Sequence, residues 1–199
     1  MKKNIEIKDR DSRNFIAADE QSSDALLIIL DWLKTFLFVI LIGLLLTVFV
    51  IQRNTISGPS MEPTLSHQDQ IFVEKISKNF NVNRGDIITI DKTDPNNPDT
   101  LLIKRVVGLP GETIEIVNGT VYIDGEILEE SYLSNSSFTN VDLEIDFHYV
   151  ALLENQYFVL GDNRLVSKDS RQFGPINHDQ IIGKVFIRFY PFDQIGKPK

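Results

Sequence analysis

The stretch TIEIVNGTVYIDG, residues 113–125, predicts a β-hairpin and with it the fold class of the chain. Its two short runs, 113–117 and 120–123, are rich in β-branched residues, and they are joined by Asn-Gly at 118–119, a typical two-residue hairpin turn. Asp-Gly at 124–125 adds a turn signal directly after the second run. The stretch therefore predicts strands that pair with their sequence neighbours, which is an antiparallel arrangement.

Further strand signals lie on both sides of this hairpin, and no helix of convincing length is indicated after residue 51. The runs are short, rich in Val and Ile, and bounded by turn residues. They cover residues 70–76, 86–90, 101–107, 157–160 and 184–190. We therefore expect a mostly-β domain that is largely antiparallel and partly closed. Residues 94–99 have the composition of a loop, and the polar residues 129–150 are expected to form an excursion from the core.

Residues 33–51, LKTFLFVILIGLLLTVFVI, form the strongest break in composition. As a helix this run would extend roughly 28 Å at about 1.5 Å per residue, close to the ~30 Å hydrocarbon core of a bilayer. A buried core helix is disfavoured because the run is apolar on all sides. A cleavable signal peptide is disfavoured because no small-x-small site follows. The run predicts an uncleaved transmembrane helix, with Trp32, Lys34 and Arg53 suited to its two interfaces.

The basic residues give the expected orientation of this helix. Those ahead of it outnumber Arg53, which alone follows soon after it. They are Lys2, Lys3, Lys8, Arg10 and Arg13. The positive-inside rule then places the N-terminus in the cytoplasm. The expected layout is a single-pass cell-membrane protein with a cytoplasmic segment at 1–32, a transmembrane helix at 33–51 and an extracytoplasmic domain at 52–199.

The composition excludes several classes of function. The chain of 199 residues has a formal net charge of −8, which argues against nucleic acid as a partner because phosphate binding needs clustered Lys and Arg. It contains no cysteine, so disulfides, thiolate metal sites and cysteine nucleophiles are excluded.

Ser60 lies nine residues beyond the apolar run, within the sequence SGPSMEPTL at 57–65. A serine braced by glycine and proline at this place could act as a nucleophile on substrates held in the membrane, but it needs a base to take its proton. His67, His148 and His178 lie in polar contexts without an accompanying motif. A Ser-His-Asp triad therefore has little support.

Lys104 is the better candidate for the base. Strand alternation places Leu102, Lys104 and Val106 on one face of the run 101–107. If that face points inward, desolvation disfavours the ammonium and lowers the pKa of the lysine, as a lysine base requires. The alternative is an ordinary edge-strand lysine whose ammonium reaches water, and the strand pattern alone favours this alternative. Arg105, on the opposite face, is expected to be structural.

A third cluster is GDNRLVSKDSR at 161–171. It places opposite charges two residues apart in what reads as a tight loop, where they are able to form bidentate pairs. These charges are Asp162 with Arg164, and Asp169 with Arg171. The loop is either a solvated, salt-bridged turn or a rigid element whose hydroxyls orient a base.

Taken together, these segments resemble the type I signal peptidases, membrane-bound Ser/Lys proteases that remove signal peptides from exported proteins. The resemblance covers most of residues 57–174 and rests on four motifs in the family's order. They are SGPSMEPTL, GDIITI, IKRVVGLPGE and GDNRLVSKDSR.

The resemblance implies a role for each matching residue. Ser60 becomes the nucleophile, Lys104 the general base, and Ser167 the hydroxyl that hydrogen-bonds and orients the lysine amine. The remaining residues are implied to shape the loops around this pair. Asp169 and Arg171 form an ion pair at the site, Asp162 and Arg164 support the same loop, and Gly58, Pro59, Met61 and Pro63 fix Ser60. The implied fold is a coiled, mostly antiparallel β domain with a catalytic core and a variable second lobe at about 113–155.

The chain departs from the family's pattern at two places. Leu165 and Val166 stand where many relatives carry polar residues, which puts the packing of this loop in question. Gly58 stands where some relatives carry a serine whose hydroxyl helps to bind the oxyanion, so the Ser60 amide is expected to carry most of that role, as in the Gly-Pro-Ser subgroup.

The expected function is cleavage of signal peptides from secreted preproteins through an acyl-enzyme, at the surface of a lipid bilayer. No metal or cofactor is expected because a neutral amine takes the place of histidine, and the protein is expected to be a monomer. One rival is a self-cleaving Ser/Lys protease related to soluble repressors, which the apolar anchor disfavours. Another is a catalytically inactive membrane-anchored β module that binds peptides or assembly partners.

Overall fold

The computed structural model describes residues 27–45, 50–76, 82–91, 101–133 and 149–199. The chain divides into two compact units, residues 1–48 and 49–199, and each is treated by itself. Three sequence predictions fall wholly or largely outside the described residues. They are the polar segment before residue 27, the loop at 94–99 and the stretch 134–148 of the expected excursion, which includes His148.

The first unit contains helix α1, which is described over Leu27–Leu45 and is long and apolar enough to cross a membrane. The sequence prediction started this helix at Leu33, whereas the chain is already helical at Leu27. The charge of Asp31 interrupts the apolar run in the sequence, but the helix continues through this residue. Lys34 Nζ lies 3.1 Å from Asp31 Oδ1, and Thr35 Oγ1 donates to the Asp31 carbonyl at 2.9 Å.

The predicted C-terminal end of the transmembrane helix at Ile51 was too late. Ile51 begins a strand and lies opposite Glu74 of the next strand along the chain. The apolar run ends in β-branched and aromatic residues, which suit a strand as well as a membrane helix. Composition alone could not show that this end of the run is paired in a sheet.

Within the described residues, eleven strands follow along the second unit. In chain order they are β1 (Ile51–Thr55), β2 (Gln70–Glu74), β3 (Ile87–Asp91), β4 (Leu101–Gly108), β5 (Thr113–Val117), β6 (Thr120–Ile123), β7 (Glu126–Ile127), β8 (Tyr149–Ala151), β9 (Gln156–Leu160), β10 (Ile176–Asn177) and β11 (Ile181–Tyr190). A short helix, α2 (Ser170–Phe173), and 3-10 turns at His178–Gln180 and Phe192–Gln194 complete the described elements.

The strands form two antiparallel sheets. The larger has the order β1-β2-β11-β3-β4-β9-β10, and the smaller has the order β7-β6-β5-β8. The predicted hairpin is present as β5 and β6, with Val117 opposite Thr120 and with both Asn118 and Gly119 at positive φ, 48° and 80°. Two such residues in succession give the turn that matches the twist of paired strands. The prediction of a mostly antiparallel β domain is confirmed.

The strands β4 and β9 are buried on both faces and join the cores of the two sheets. Val106 and Val159 pack in one cluster of buried residues, while Val107 and Leu160 pack in another. The first cluster also receives Leu102, so Leu102 and Val106 share a face as strand alternation predicted. Lys104 lies between these two residues in sequence. The strand that carries it is held in place by the buried clusters on its two faces.

Candidate active site

The loop that carries Ser60 is anchored by its own apolar side chains, which are buried in the core. Ile56, Met61 and Leu65 are buried and pack in one cluster with Ile71 of β2. Within the loop, the Glu62 amide donates to the Pro59 carbonyl at 3.1 Å and the Leu65 amide donates to the Met61 carbonyl at 2.9 Å. Pro59 and Pro63 are exposed at the surface of the loop, whereas Ser60 is half-buried. The backbone around Ser60 is therefore fixed by burial of its neighbours, Met61 above all.

Gly58 is required by its backbone conformation rather than by lack of space. Its φ is 90°, in the left-handed region that favours glycine, and a Cβ built on it would meet no heavy atom within 4 Å. Its amide donates to His67 Nδ1 at 3.2 Å. His67, which no motif singled out, thus braces the nucleophile loop two residues before Ser60. Only the fold could reveal this contact, since nine residues separate the two.

Lys104 and Ser60 lie next to each other, although 44 residues separate them along the chain. Lys104 Nζ lies 2.9 Å from Ser60 Oγ and also contacts the Ile103 carbonyl at 2.9 Å. Lys104 is only 2% exposed, on a strand where it lies opposite Ile88. Burial lowers the pKa of the Lys104 ammonium from 10.5 to about 8.

Charged neighbours adjust the pKa of Lys104 after burial has lowered it. Asp169 and Asp162 raise this pKa and so oppose the effect of burial, while Arg171 lowers it further. Near neutral pH a usable fraction of the amine is therefore neutral and able to accept a proton. The inward-facing interpretation of Lys104 describes the structure, and the exposed edge-strand alternative does not.

The loop 161–169 packs directly against the nucleophile loop. The Asn163 amide donates to the Ser60 carbonyl at 3.1 Å. A Cβ on Gly161 would lie 2.5 Å from the same carbonyl and 2.2 Å from Ser167 Oγ, closer than any real contact allows. The Gly161 amide donates to Asp169 Oδ2 at 3.0 Å. Glycine at 161 is therefore what lets the two loops meet.

Ser167 does not make the hydrogen bond that the resemblance implied. Its Oγ is buried and has no hydrogen-bond partner among the residues that the structure describes. Lys104 Nζ is directed instead toward Ser60 Oγ and the Ile103 carbonyl. Ser167 is nevertheless at the site, because its Oγ occupies the space beside Gly161 that a side chain there would need.

Asp169 and Arg171 form the predicted bidentate pair. Arg171 Nε and Nη2 donate to the two carboxylate oxygens of Asp169 at 2.8 and 2.9 Å. The Asp169 side chain also caps α2 by accepting from the Arg171 amide. Both residues are buried, so the pair holds the end of the loop rigidly rather than lying in solvent.

Asp162 and Arg164 find their bidentate partners outside the loop. Arg105 Nε and Nη2 donate to Asp162 at 2.8 and 2.6 Å, and Arg164 donates from both terminal nitrogens to Glu130. Arg105 is thus structural, as expected. The sequence analysis missed Glu130 because it lies in a polar segment without a motif, and the opposite charge of Arg164 was the only signal available.

The two residues that depart from the family's pattern are exposed. Leu165 is 66% and Val166 56% exposed, so neither contributes to a core. The loop is fixed by its ion pairs and backbone contacts instead. In the part of the chain that the structure describes, no group of three or more His, Cys, Asp or Glu side chains could hold a metal ion.

Over most of its length, the chain is similar to known proteins. The family profile described as "Signal peptidase, peptidase S26" matches residues 29–190. Signal peptidase I P of Bacillus subtilis subsp. natto is 36% identical over 177 residues, which cover 86% of this chain and 94% of that protein. Signal peptidase I S of Bacillus subtilis strain 168 is 36% identical over 176 residues, which cover 85% of this chain and 93% of that protein. Among solved structures, a signal peptidase I from Enterococcus faecalis V583 is 35% identical, and the match covers 52% of this chain and 96% of that one with a TM-score of 0.43.

Proposed function

Because this chain belongs to the signal peptidase family, peptidase S26, we propose that it cleaves signal peptides from preproteins with Ser60 and Lys104 as its catalytic dyad. The observation that carries the proposal is the 2.9 Å separation of Ser60 Oγ from a buried Lys104 Nζ. Burial lowers the pKa of Lys104 to about 8, so the amine is available as a base without histidine.

The proposed reaction has two halves. Neutral Lys104 takes the proton from Ser60 Oγ as the oxygen attacks the carbonyl carbon of the small residue that ends the signal peptide. The ammonium then returns this proton to the leaving amine of the mature protein, and an acyl-enzyme remains. Lys104 next takes a proton from water, which attacks the ester, and Ser60 Oγ leaves with that proton.

The negative charge that develops on the carbonyl oxygen of the substrate needs a hydrogen-bond donor to stabilise it. Gly58 offers no hydroxyl, so the Ser60 amide is the proposed donor. The Asn163 amide holds the following peptide unit in place by donating to the Ser60 carbonyl at 3.1 Å. Asp169, Arg171, Asp162, Arg164 and Ser167 are proposed to keep the adjoining loop in place.

The helix α1 is proposed to anchor the enzyme in the cell membrane, with the N-terminus in the cytoplasm and the β domain on the extracytoplasmic face. A substrate whose hydrophobic signal segment lies in the same bilayer is then held near the enzyme, and its cleavage becomes effectively intramolecular.

The test is cleavage of a preprotein with an Ala-x-Ala boundary by the purified full-length protein. We expect Ser60→Ala and Lys104→Ala to lose activity by about 10³-fold or more, because each removes half of the dyad. Ser57→Ala and Lys168→Ala are matched controls, since both residues are exposed, Ser57 in the loop that carries Ser60 and Lys168 in the adjoining loop 161–169. Equal cleavage by all five proteins would contradict the dyad, and no cleavage by the wild type would favour a module that only binds peptides.

A further inference from the structure

The short segment after β7 contacts the loop 161–169, which is called the catalytic loop from here on. Residues 130–132, here called the 130–132 segment, lie near the start of the polar stretch 129–150, after β7, and none of the four sequence motifs includes them. Two of their side chains contact charged residues next to the site. These are Glu130 and Tyr132.

Glu130 neutralises an arginine that has no access to water. The Arg164 side chain is 0% exposed, and its Nη1 donates to Glu130 Oε2 at 2.9 Å while its Nη2 donates to Glu130 Oε1. Arg164 Nε donates to the Gly161 carbonyl at 3.1 Å. A buried guanidinium is tolerated only when a carboxylate pairs with it. Glu130 therefore holds Arg164 where it can fix the carbonyl of Gly161.

Tyr132 links this ion pair to a second one. Its hydroxyl donates to Glu130 Oε1 at 2.6 Å, and its ring centre lies 3.9 Å from Arg105 Cζ. Burial raises the pKa of the Tyr132 hydroxyl, and Glu130 raises it further, so the hydroxyl remains a donor. Arg105 in turn makes the bidentate pair with Asp162. One tyrosine thus touches the partners of both Asp162 and Arg164.

These contacts are connected to Ser60 through Gly161. Gly161, Asp162 and Arg164 are close neighbours in one loop, and Gly161 is the residue whose missing side chain lets that loop pack on the Ser60 carbonyl. A shift of Gly161 would move the surface against which Ser60 rests. Misplacement of reacting groups by about 1 Å can cost about 10²-fold in rate.

We propose that Glu130 and Tyr132 are positioning residues, which hold the Gly161–Arg164 part of the catalytic loop against Ser60 through Arg164 and Arg105. The inference rests on the proposed function of Ser60 and Lys104. It gives the 130–132 segment a role in the reaction, beyond its place in the connection between β7 and β8 of the smaller sheet.

The first test compares single variants of the full-length protein on the Ala-x-Ala preprotein. Glu130→Gln keeps the shape but removes the charge, and we expect kcat to fall about 10- to 100-fold while KM changes by less than about 2-fold. Tyr132→Phe should have a smaller effect than Tyr132→Leu, because the ring over Arg105 is retained. Glu129→Gln is the matched control, an exposed neighbour that should leave kcat unchanged.

A double variant separates positioning from stability. Glu130→Gln leaves Arg164 buried without its counter-charge, which destabilises the fold. In Glu130→Gln with Arg164→Met both charges are gone, so the thermal midpoint should recover, but the Gly161 carbonyl has lost its donor. We expect kcat to stay low. Recovery of kcat together with the midpoint would show a purely structural pair and overturn the proposal.

The outcomes also separate this inference from the proposed function. If the wild type and Glu129→Gln both cleave the preprotein and Glu130→Gln has the same kcat, the positioning role fails and the dyad stands. If the wild type does not cleave, the proposed function itself fails. If Glu130→Gln lowers kcat and also lowers the rate at which a small activated ester acylates Ser60, the positioning role is supported. Such a reagent does not need the signal-peptide subsites.

Discussion

The position of Lys104 on its strand is the reason that we propose it as the base. A lysine on a strand usually extends its ammonium into water, but Lys104 is 2% exposed and lies 2.9 Å from Ser60 Oγ. Removal from water penalises the charged form, and the nearby carboxylates of Asp169 and Asp162 limit how far the pKa falls. The balance leaves the pKa at about 8, which is low enough for a base and high enough to reprotonate a leaving amine.

This placement should cost stability, and Lys104→Met should reveal the cost. The folded-state pKa, about 8, lies below the ordinary value of 10.5, so at pH 7 folding buries an ammonium that the unfolded chain keeps in water. A difference of this size corresponds to about 3 kcal/mol. We expect Lys104→Met to raise the free energy of unfolding by up to that amount below pH 8, as measured by urea denaturation.

The pH dependence of the gain in the free energy of unfolding serves as the control for Lys104→Met. Between pH 8 and 10.5 the unfolded chain binds more protons than the folded one, so the stability of the wild type rises with pH and the advantage of Lys104→Met shrinks. A gain that stayed constant up to pH 10.5 would show that packing, and not the buried charge, is responsible.

Strand β3 carries a polar group that the site does not use. Thr89 is fully buried, and its Oγ1 has no hydrogen-bond partner among the described residues. A buried hydroxyl without a partner costs about 1–3 kcal/mol relative to an apolar group of the same shape. We expect Thr89→Val to raise the free energy of unfolding by about 1 kcal/mol and to leave kcat unchanged. A loss of stability in urea denaturation would contradict this expectation.

Elements with a strong local signal could be predicted from the sequence. The β5–β6 hairpin follows from its Asn-Gly turn. The burial of Lys104 follows from strand alternation, which puts it on the same face as Leu102 and Val106, once the strand is known to be central. The centrality of β4 was not visible in the pattern. It depends on pairing with β3 and β9, which lie far from each other along the chain.

Apart from the pairing of Ser60 with Lys104, which only the family resemblance implied, contacts between distant segments could not be predicted. β1 was hidden at the end of an apolar run, because its residues suit a helix or a strand equally and only pairing with β2 decides. The partners of Asp162 and Arg164 lie 57 and 34 residues away, on β4 and in a segment without a motif. Ion pairs of this kind need opposite charge and proximity, and the sequence gives only the first.

At the scale of the whole molecule, one apolar helix is proposed to keep the enzyme at its substrate. We expect the full-length protein to stay with the membrane pellet after an alkaline carbonate wash. Leu37→Arg, near the middle of α1, should weaken this retention, because an arginine at the helix centre costs about 2.5–3.5 kcal/mol. Leu27→Arg is the control, since an arginine near a helix end can reach the interface. Equal retention of both variants would contradict the proposed span.

We propose that Lys104 activates Ser60, so the rate of Ser60 acylation should follow the protonation of Lys104. An activated ester is added to the full-length wild type and to Lys104→Met, and the acylated residue and its rate of formation are read by mass spectrometry. Because the neutral amine is the base, we expect the wild-type rate to rise with pH through a midpoint near 8, with the label on Ser60. Lys104→Met should show no such rise. A label elsewhere, or the same profile in both proteins, would contradict the claim.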